Sequence, residues 1–357
     1  MAQLATVKKY PASLEVVNNF GVRTTVPTWF LNMMMPVKYA SHIIIDELYT
    51  HNPQSETDHV LITRYRGGLG DQICMIPAIE GLLAKHGNKL HLAVPKPYFP
   101  LYENVGIKTD MIDTMVEENN GGYYRFRQRF REVYDMYCPA ALYERSVDYD
   151  VRNSRVENFC EHCHVPVKTP KIKPAIGKDY FSGLKRPIIG LAPRAASWLK
   201  EWPISRMVAL AQRFQKRGWT PVCFDNKFVF DSIPSMSGLN IRELGTALSQ
   251  LDYMVAIDSG IMHYALAVGV PTLGLFGATS GYHTMRVYAK GKFIQSFLSD
   301  SCLRPCYYSD FRNYYCGKGS GAKPAQGGIR RGKYSTCMKE ISVESVDAMV
   351  CQELEEQ

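Results

Sequence analysis

No stretch of this sequence reaches the ~18 uninterrupted apolar residues that a membrane-spanning helix needs. The most apolar early run, Trp29 to Met35, is short and stops at Pro36. Met1 to Lys9 carries charge with no apolar core behind it, so no secretion signal is expected and the expected location is cytoplasmic. The dinucleotide fingerprint G-x-G-x-x-G is also missing. After the first clear strand the glycines fall at Gly67, Gly68 and Gly70, and the second strand runs into Val94, Pro95, Lys96 and Pro97 with no acid for a ribose hydroxyl. A nicotinamide-dependent dehydrogenase is therefore a poor reading. Acidic residues are in deficit, 34 against 42 basic ones, for a formal charge of +8. Cysteine is not scarce, but ten cysteines without a secretion signal argue for reduced thiols or a metal site, not a disulfide framework.

What is present suits two globular domains. The chain has 357 residues, enough for two cores of ordinary size, and 46% apolar with 21% charged residues is the make-up of a water-soluble fold. One stretch organises the rest. Met254 to Ile257 is a buried-strand pattern, Asp258, Ser259 and Gly260 break it, and Ser259 is placed to cap a helix through Val268. Gly269 and Pro271 end that helix, Thr272 to Phe276 is the next strand, and Gly277 to Ser280 turns out of it. So short a unit reads as a parallel strand–helix–strand crossover. Its first turn joins a strand end to a helix start, where free backbone N–H groups and the helix dipole favour an anion such as phosphate. Gly260 would let a ligand approach closely, and His263 would lie one turn into the helix. The bland alternative is an ordinary turn with a capping serine and a solvated Asp258.

The first half repeats the pattern. His59 to Arg64 is a strand, Tyr65 to Asp71 a glycine-rich turn, Gln72 to His86 a helix, and Leu90 to Val94 a second strand. Asp71, at a helix start beside that turn, reads equally as a reactive carboxylate or as a residue that only satisfies the helix. Val133 to Tyr137 reads as another strand. Residues 165–174, with three prolines, form the best linker. In the second half, Arg186 to Pro193 is a strand, a loop follows with Arg194, Ser197, Lys200 and Trp202, and Ser205 to Arg217 is an amphipathic helix ended by Gly218. Thr220 to Phe224 is a strand, Ile241 to Leu251 a helix, and Val343 to Glu355 a closing helix. Strands alternating with helices in both halves predict two doubly wound α/β domains facing across a cleft.

Four other features carry chemistry or mimic it. Residues 121–131 place Arg125, Arg127, Arg129 and Arg131 among aromatics, either a phosphate-contacting surface or the solvated face of an amphipathic helix. Asp148 and Asp150 match a metal-binding D-x-D, and Cys160, Cys163 and His164 match a haem-attachment pattern. Their contexts, a charged helix start and a helix end, favour coincidence in both cases. Cys302, Cys306, Cys316 and Cys337 bracket a loop in which eight bases face Asp310 alone, a net +7 between Leu303 and Lys339. Four thiolates at this spacing either hold one tetrahedral metal, zinc or iron, or form a reduced structural cluster. The basic loop points to a phosphate-bearing or polyanionic partner.

Two motifs taken together resemble the glycosyltransferase family 9 heptosyltransferases. One is Gly68, Gly70 and Asp71 with Pro77. The other is Asp258, Ser259, Gly260, His263, Gly269, Pro271, Leu275, Phe276, Gly277 and Thr279 at their spacing, and Lys200 to Pro203 resembles the family's intervening segment. The resemblance runs from about residue 58 to 285. It implies the GT-B fold, two Rossmann-like domains with the acceptor on the first and the nucleotide-sugar donor on the second. It also implies inversion of configuration without a catalytic metal or other cofactor. Residue by residue, it makes Asp71 the general base. Asp258 would contact the donor sugar, Ser259 and Gly260 the diphosphate, and Lys200 with Arg194 the leaving nucleotide. His263, Gly277 and Thr279 would complete the donor side, and Gly68, Gly70, Arg125 and Arg127 would lie on the acceptor side. An ADP-linked heptose is the favoured donor.

The domain division read from these patterns is an extension at 1–57, an acceptor domain at 58–175, a donor domain at 176–300, a basic four-Cys insert at 301–340 and a closing helix at 341–357. The extension, the insert and the arginine run depart from the lipopolysaccharide-core enzymes, although the insert resembles a metal finger of the autotransporter heptosyltransferases. An anionic acceptor is therefore expected, a phosphorylated saccharide, a protein or a modified nucleic acid. The competing readings are a nucleic-acid-binding module built on the basic insert and a sugar-nucleotide epimerase. Oligomeric state is not legible.

Overall fold

The computed structural model describes residues 8–9, 13–17, 23–27, 50–51, 55, 57–64, 67–119, 126–136, 154–174, 177–225, 233–296 and 334–356. The chain divides into two compact units. The first comprises Met1–Gly67 and Cys74–Lys168, the second Gly68–Ile73 and Thr169–Gln357. Arg125, the Asp148–Asp150 pair, Cys302, Cys306 and Cys316 lie outside the described residues.

In the first unit, β1 (Lys8–Lys9), β2 (Ser13–Val17) and β3 (Arg23–Pro27) form an antiparallel sheet in sequence order. A second sheet has the order β4 (Thr50–His51), β8 (Glu132–Asp135), β5 (Val60–Thr63), β6 (Leu90–Val94), β7 (Asp110–Asp113). Its β8–β5, β5–β6 and β6–β7 pairs are parallel, and β4 joins β8 antiparallel. Residues 50–51 of the N-terminal extension thus supply an edge strand. The four residues of β5 are all buried, as expected of a parallel strand covered on both faces. The helix expected over Gln72 to His86 is two: α1 (Leu69–Cys74) and α2 (Ile76–His86). Pro77 causes the break. It has no N–H to continue a helix but fits the first turn of a new one, and α2 carries it there. The helix α3 (Phe99–Val105), the strand β7, rich in aspartate, and α4 (Thr114–Asn119) were not legible in the sequence.

The last helix of this unit, α5 (Arg155–His162), starts with a full capping box between Ser154 and Glu157 and packs on α2. Its final residue sets a pH dependence. The His162 ring meets Tyr134 edge-on, and its Nε2 is buried without a hydrogen-bond partner among the described residues. Burial, with a smaller contribution from His164, pushes its pKa down to about 4. An unfolded histidine titrates near 6.5, so the unfolded chain binds the extra proton first. Stability is therefore full above about pH 6.5 and falls as pH drops towards 4. The expected loss between pH 7 and pH 5 from this one group is about 2 kcal/mol. Urea unfolding of wild type and His162→Phe at those two pH values checks it. An equally steep pH dependence in the variant would show that His162 is not the cause.

The second unit is built on one parallel sheet of order β10 (Thr220–Cys223), β9 (Ile188–Ala192), β11 (Tyr253–Ile257), β12 (Thr272–Phe276), β13 (Gly291–Gln295). The three central strands are buried throughout. The connecting helices are α6 (Ile204–Lys216), α7 (Ile241–Ser249), α8 (Gly260–Ala267) and α9 (Gly281–Met285). The chain closes with α10 (Thr336–Glu340) and α11 (Val343–Glu355). Most of these elements fall within a residue or two of the sequence reading. Edge strand β13 was missed, because its Lys292 and Gln295 interrupt any apolar period. The core joins Ile189, Leu191, Trp202, Phe214, Val255 and Leu273 to Ile341, Val346 and Val350 of the closing segment. Arg217 and Arg213 fasten α11 to α6 through Asp347, with Arg217 reaching both carboxylate oxygens at 2.7 and 2.8 Å. This pairing depends on the tertiary fold and has no local sequence signal.

Candidate functional site

Three loops meet at the carboxyl edge of the second unit's sheet because their strands are neighbours. β9, β11 and β12 run parallel in register, with Tyr253 beside Ile189 and Met254 beside Thr272, so their ends emerge together. After β11, Asp258 and Ser259 turn into α8. The Ser259 hydroxyl accepts from the Met262 N–H at 3.5 Å, the expected cap. After β12, Gly277, Ala278 and Thr279 lead to Ser280, which caps α9 by accepting from the His283 N–H. After β9 comes the loop with Arg194 and Ser197 and the single turn Trp198–Lys200. Leu199 of this turn packs on Ala278 of the neighbouring one.

Asp258 is the centre of the cluster. It is 8% exposed, and Lys200 Nζ lies 2.8 Å from its Oδ2. Burial alone would raise its pKa. The Lys200 ammonium, His263 and hydrogen bonds from Lys200 and Thr279 outweigh that and hold it below the usual carboxylate value. Asp258 is therefore ionised at neutral pH, a buried anion matched by a partly buried cation. His263 Nδ1 lies 3.1 Å from the Tyr288 hydroxyl, which orients the ring. Sequence reading did not single out Tyr288, and a lone tyrosine 25 residues away gives no signal. Arg194 is half-exposed, with Nε 3.7 Å from Asp225 and 3.9 Å from Glu201. Burial pushes Glu201 up, and Arg194 partly offsets this. The Ser197 hydroxyl is buried and has no hydrogen-bond partner among the described residues. A buried hydroxyl in that state calls for a water or a ligand.

The Gly68–Ile73 segment belongs to this unit and packs directly on the first turn. A Cβ added to Gly260 would sit 2.9 Å from Leu69 Cβ and 3.0 Å from the Gly70 nitrogen. One added to Gly70 would sit 3.0 Å from His263 Cδ2. The close approach that the sequence assigned at Gly260 to a ligand is thus made by the chain's own glycine-rich turn. Asp71, in the first turn of α1, accepts from the Gly68 N–H at 2.9 Å, so its carboxylate also stabilises that turn.

Two other expectations change. Arg127 does not lie on a surface. It is buried with its Nη1 3.6 Å from buried Asp135, and Phe126 and Phe130 beside it enter the first unit's core. The described part of the arginine run is helical at Phe126 and Arg127 and then turns into β8, with its aromatics drawn inward. Cys337, the described member of the four cysteines, is buried in the apolar core with its Sγ 3.3 Å from Ser335 Oγ. Among the described residues no group of three or more His, Cys, Asp or Glu side chains is placed to hold a metal ion, and no helix is long and apolar enough to cross a membrane.

Residues 235–304 match the model of glycosyltransferase family 9 (heptosyltransferase). A comparison with curated proteins finds no match. Among solved structures, the chain is similar to the Escherichia coli ADP-heptose lipopolysaccharide heptosyltransferase II, at 17% identity over 83% of this chain and 99% of that one, TM-score 0.58. It is also similar to TibC, an iron-containing dodecameric glycosyltransferase from enterotoxigenic E. coli, at 13% identity over 85% and 77%, TM-score 0.61. A glycosyltransferase family 9 protein from Veillonella parvula matches at 16% over 84% and 98%, TM-score 0.57. At these identities the structural likeness establishes the two-sheet α/β GT-B fold. The family model bears out the resemblance drawn from the motifs and, with it, the glycosyltransferase class.

Proposed function

We propose that this glycosyltransferase of family 9 type takes a heptose from an ADP-linked donor and transfers it, with inversion and without a catalytic metal, to a hydroxyl of an anionic saccharide or protein. The observation that carries the reading is the pairing of Lys200 with buried Asp258 at the start of α8, with Thr279 and His263 on the same carboxylate. Two facts about other proteins support the donor. TibC has been solved in complex with ADP-D-β-D-heptose, and it and heptosyltransferase II share this fold.

In this reading each group has a physical task. The Ser259 and Gly260 amides and the α8 dipole attract the donor diphosphate. The Ser197 hydroxyl, buried and without a partner among the described residues, hydrogen-bonds it as well. Lys200 neutralises the charge that grows on the diphosphate as the glycosidic bond breaks. Asp258, kept ionised, accepts hydrogen bonds from sugar hydroxyls while holding Lys200 in place. Arg194, tied to Asp225 and Glu201, adds positive potential at the loop. Asp71 removes the acceptor proton as its oxygen attacks the anomeric carbon from the opposite face, which inverts configuration. The packing of its segment on Gly260 and His263 supports placing it beside the donor residues. A metal held by Cys302, Cys306, Cys316 and Cys337 would be structural, and no step here runs through it.

Titration with ADP, UDP, GDP and CMP tests the base. ADP alone is expected to bind, and at ~100 times its dissociation constant to stabilise the fold by about 2.7 kcal/mol. A preference for another base would overturn the donor assignment. Turnover is expected to survive EDTA, and a loss restored by added divalent cation would overturn metal independence.

A further inference from the structure

Both loops that supply partners to Asp258 lean on one short segment, Tyr334–Ile341, which lies beyond the residues matched by the family model. Ser335 is the pivotal residue. It is 1% exposed and occupies the N-cap position of α10 with extended backbone, φ −61° and ψ 150°. Its hydroxyl does not cap that helix. Four other described α-helices start on serine, at Ser154, Ser259, Ser280 and Ser342, and in each the hydroxyl accepts from its own helix. Ser335 instead donates to the Leu199 carbonyl at 2.9 Å, across 136 residues.

Leu199 adjoins Lys200, so this bond fixes the backbone next to the ammonium on Asp258. Three more bonds hold the end of this loop and the first turn of α6 to the same segment. The Ile204 N–H donates to the Tyr334 hydroxyl at 3.2 Å, Trp202 Nε1 donates to the Ile341 carbonyl at 3.0 Å, and Arg206 donates to that carbonyl too. The second loop is held by packing. A Cβ on Gly277 would sit 2.5 Å from Cys337 Sγ and 2.9 Å from Met338 Sδ, so α10 lies flush against the turn that carries Thr279.

We infer that Ser335 is a positioning residue for Lys200, and that Tyr334–Ile341 is the brace that sets the geometry of the Lys200–Asp258–Thr279 cluster. The inference rests on the donor-site reading above. A lysine on a flexible stem delivers its charge accurately only if its backbone is fixed, and the Leu199 carbonyl belongs to the peptide that leads into Lys200.

The test is ADP titration of Ser335→Ala, Lys200→Met and the double variant. Loss of one buried hydrogen bond that acts through Lys200 should weaken ADP binding by about 5–10-fold in the wild-type background. Once Lys200 is gone it should cost less than about twofold. Ser335→Thr, which keeps the hydroxyl, should restore most of the affinity. An equal factor in both backgrounds would mean general loosening and would overturn the inference. So would undiminished binding by Ser335→Ala while wild type binds ADP. Failure of wild type itself to bind ADP would instead remove the donor reading, and this inference with it. If Ser335→Ala does not fold, Tyr334→Phe replaces it in the cycle. It removes the acceptor for the Ile204 N–H from the same brace, and the same non-additivity is expected. Additivity there would overturn the proposal.

Discussion

In the Asp71→Asn protein, sugar transfer is expected to fall by about 10²–10⁴-fold, the usual contribution of a lost general base, while ADP binding stays within about twofold. The amide is nearly isosteric and still offers an oxygen to the Gly68 N–H, so the turn at the start of α1 should persist. What disappears is the ability to take a proton. Initial rates under saturating donor and acceptor, with an ADP titration of the same preparation, separate the two effects. Full turnover in the variant would end the assignment of Asp71 as base. Parallel loss of turnover and ADP affinity would assign it instead a structural role at the glycine-rich turn, in keeping with the packing of Leu69 and Gly70 on Gly260.

Lys200→Met is expected to be the most damaging change to donor binding. Asp258 is buried and Lys200 partly so, and removing the cation leaves the buried carboxylate uncompensated, at a typical cost of up to about 3–5 kcal/mol. The variant relieves this by protonating Asp258, because burial, which raises its pKa, then meets less opposition. In wild type the carboxyl is held low, so the stability it contributes is present above the unfolded carboxylate value near 3.9 and is lost as pH falls through the folded value. In the variant the sign reverses: the stranded carboxylate costs stability at neutral pH, and stability recovers as pH falls and Asp258 is protonated. ADP affinity should fall by more than about 100-fold, and mild acidification should restore stability without restoring that affinity. Calorimetry at pH 8 and pH 6 reads both. An unchanged affinity would show that Lys200 serves Asp258 alone and not the diphosphate. The double variant Lys200→Met, Asp258→Asn should regain stability but not affinity, since it removes the stranded charge without replacing the cation.

These expectations rest on residues that the sequence exposed unequally. The strand–helix–strand unit around Asp258 was legible because each of its signals is local. It has an unbroken apolar run, a serine at the cap, and a glycine and a proline after the helix, and the structure places β11, α8 and β12 there. Asp258 and Lys200 could both be named as candidates, from the anion-binding character of a strand–helix turn and from the family motif. That they pair could not be read, because they are 58 positions apart and meet only through the neighbouring of β9 and β11. Arg127 shows the reverse. Its spacing among aromatics suits either a surface or a buried turn, and only the presence of Asp135 in the core decided for burial.

The sequence by itself determined the central strands and their main helices, the α/β alternation and the positions of the two reactive turns, because caps, breakers and apolar periods act over a few residues of backbone. The tertiary structure decided the partners: Lys200 on Asp258, Tyr288 on His263, Gly70 against Gly260, and Ser335 on the loop beside Lys200. Each joins residues 25 or more positions apart, and such contacts are set by strand order and register. Many strand orders suit one and the same pattern of local signals, so the partners emerge only when the sheet is assembled.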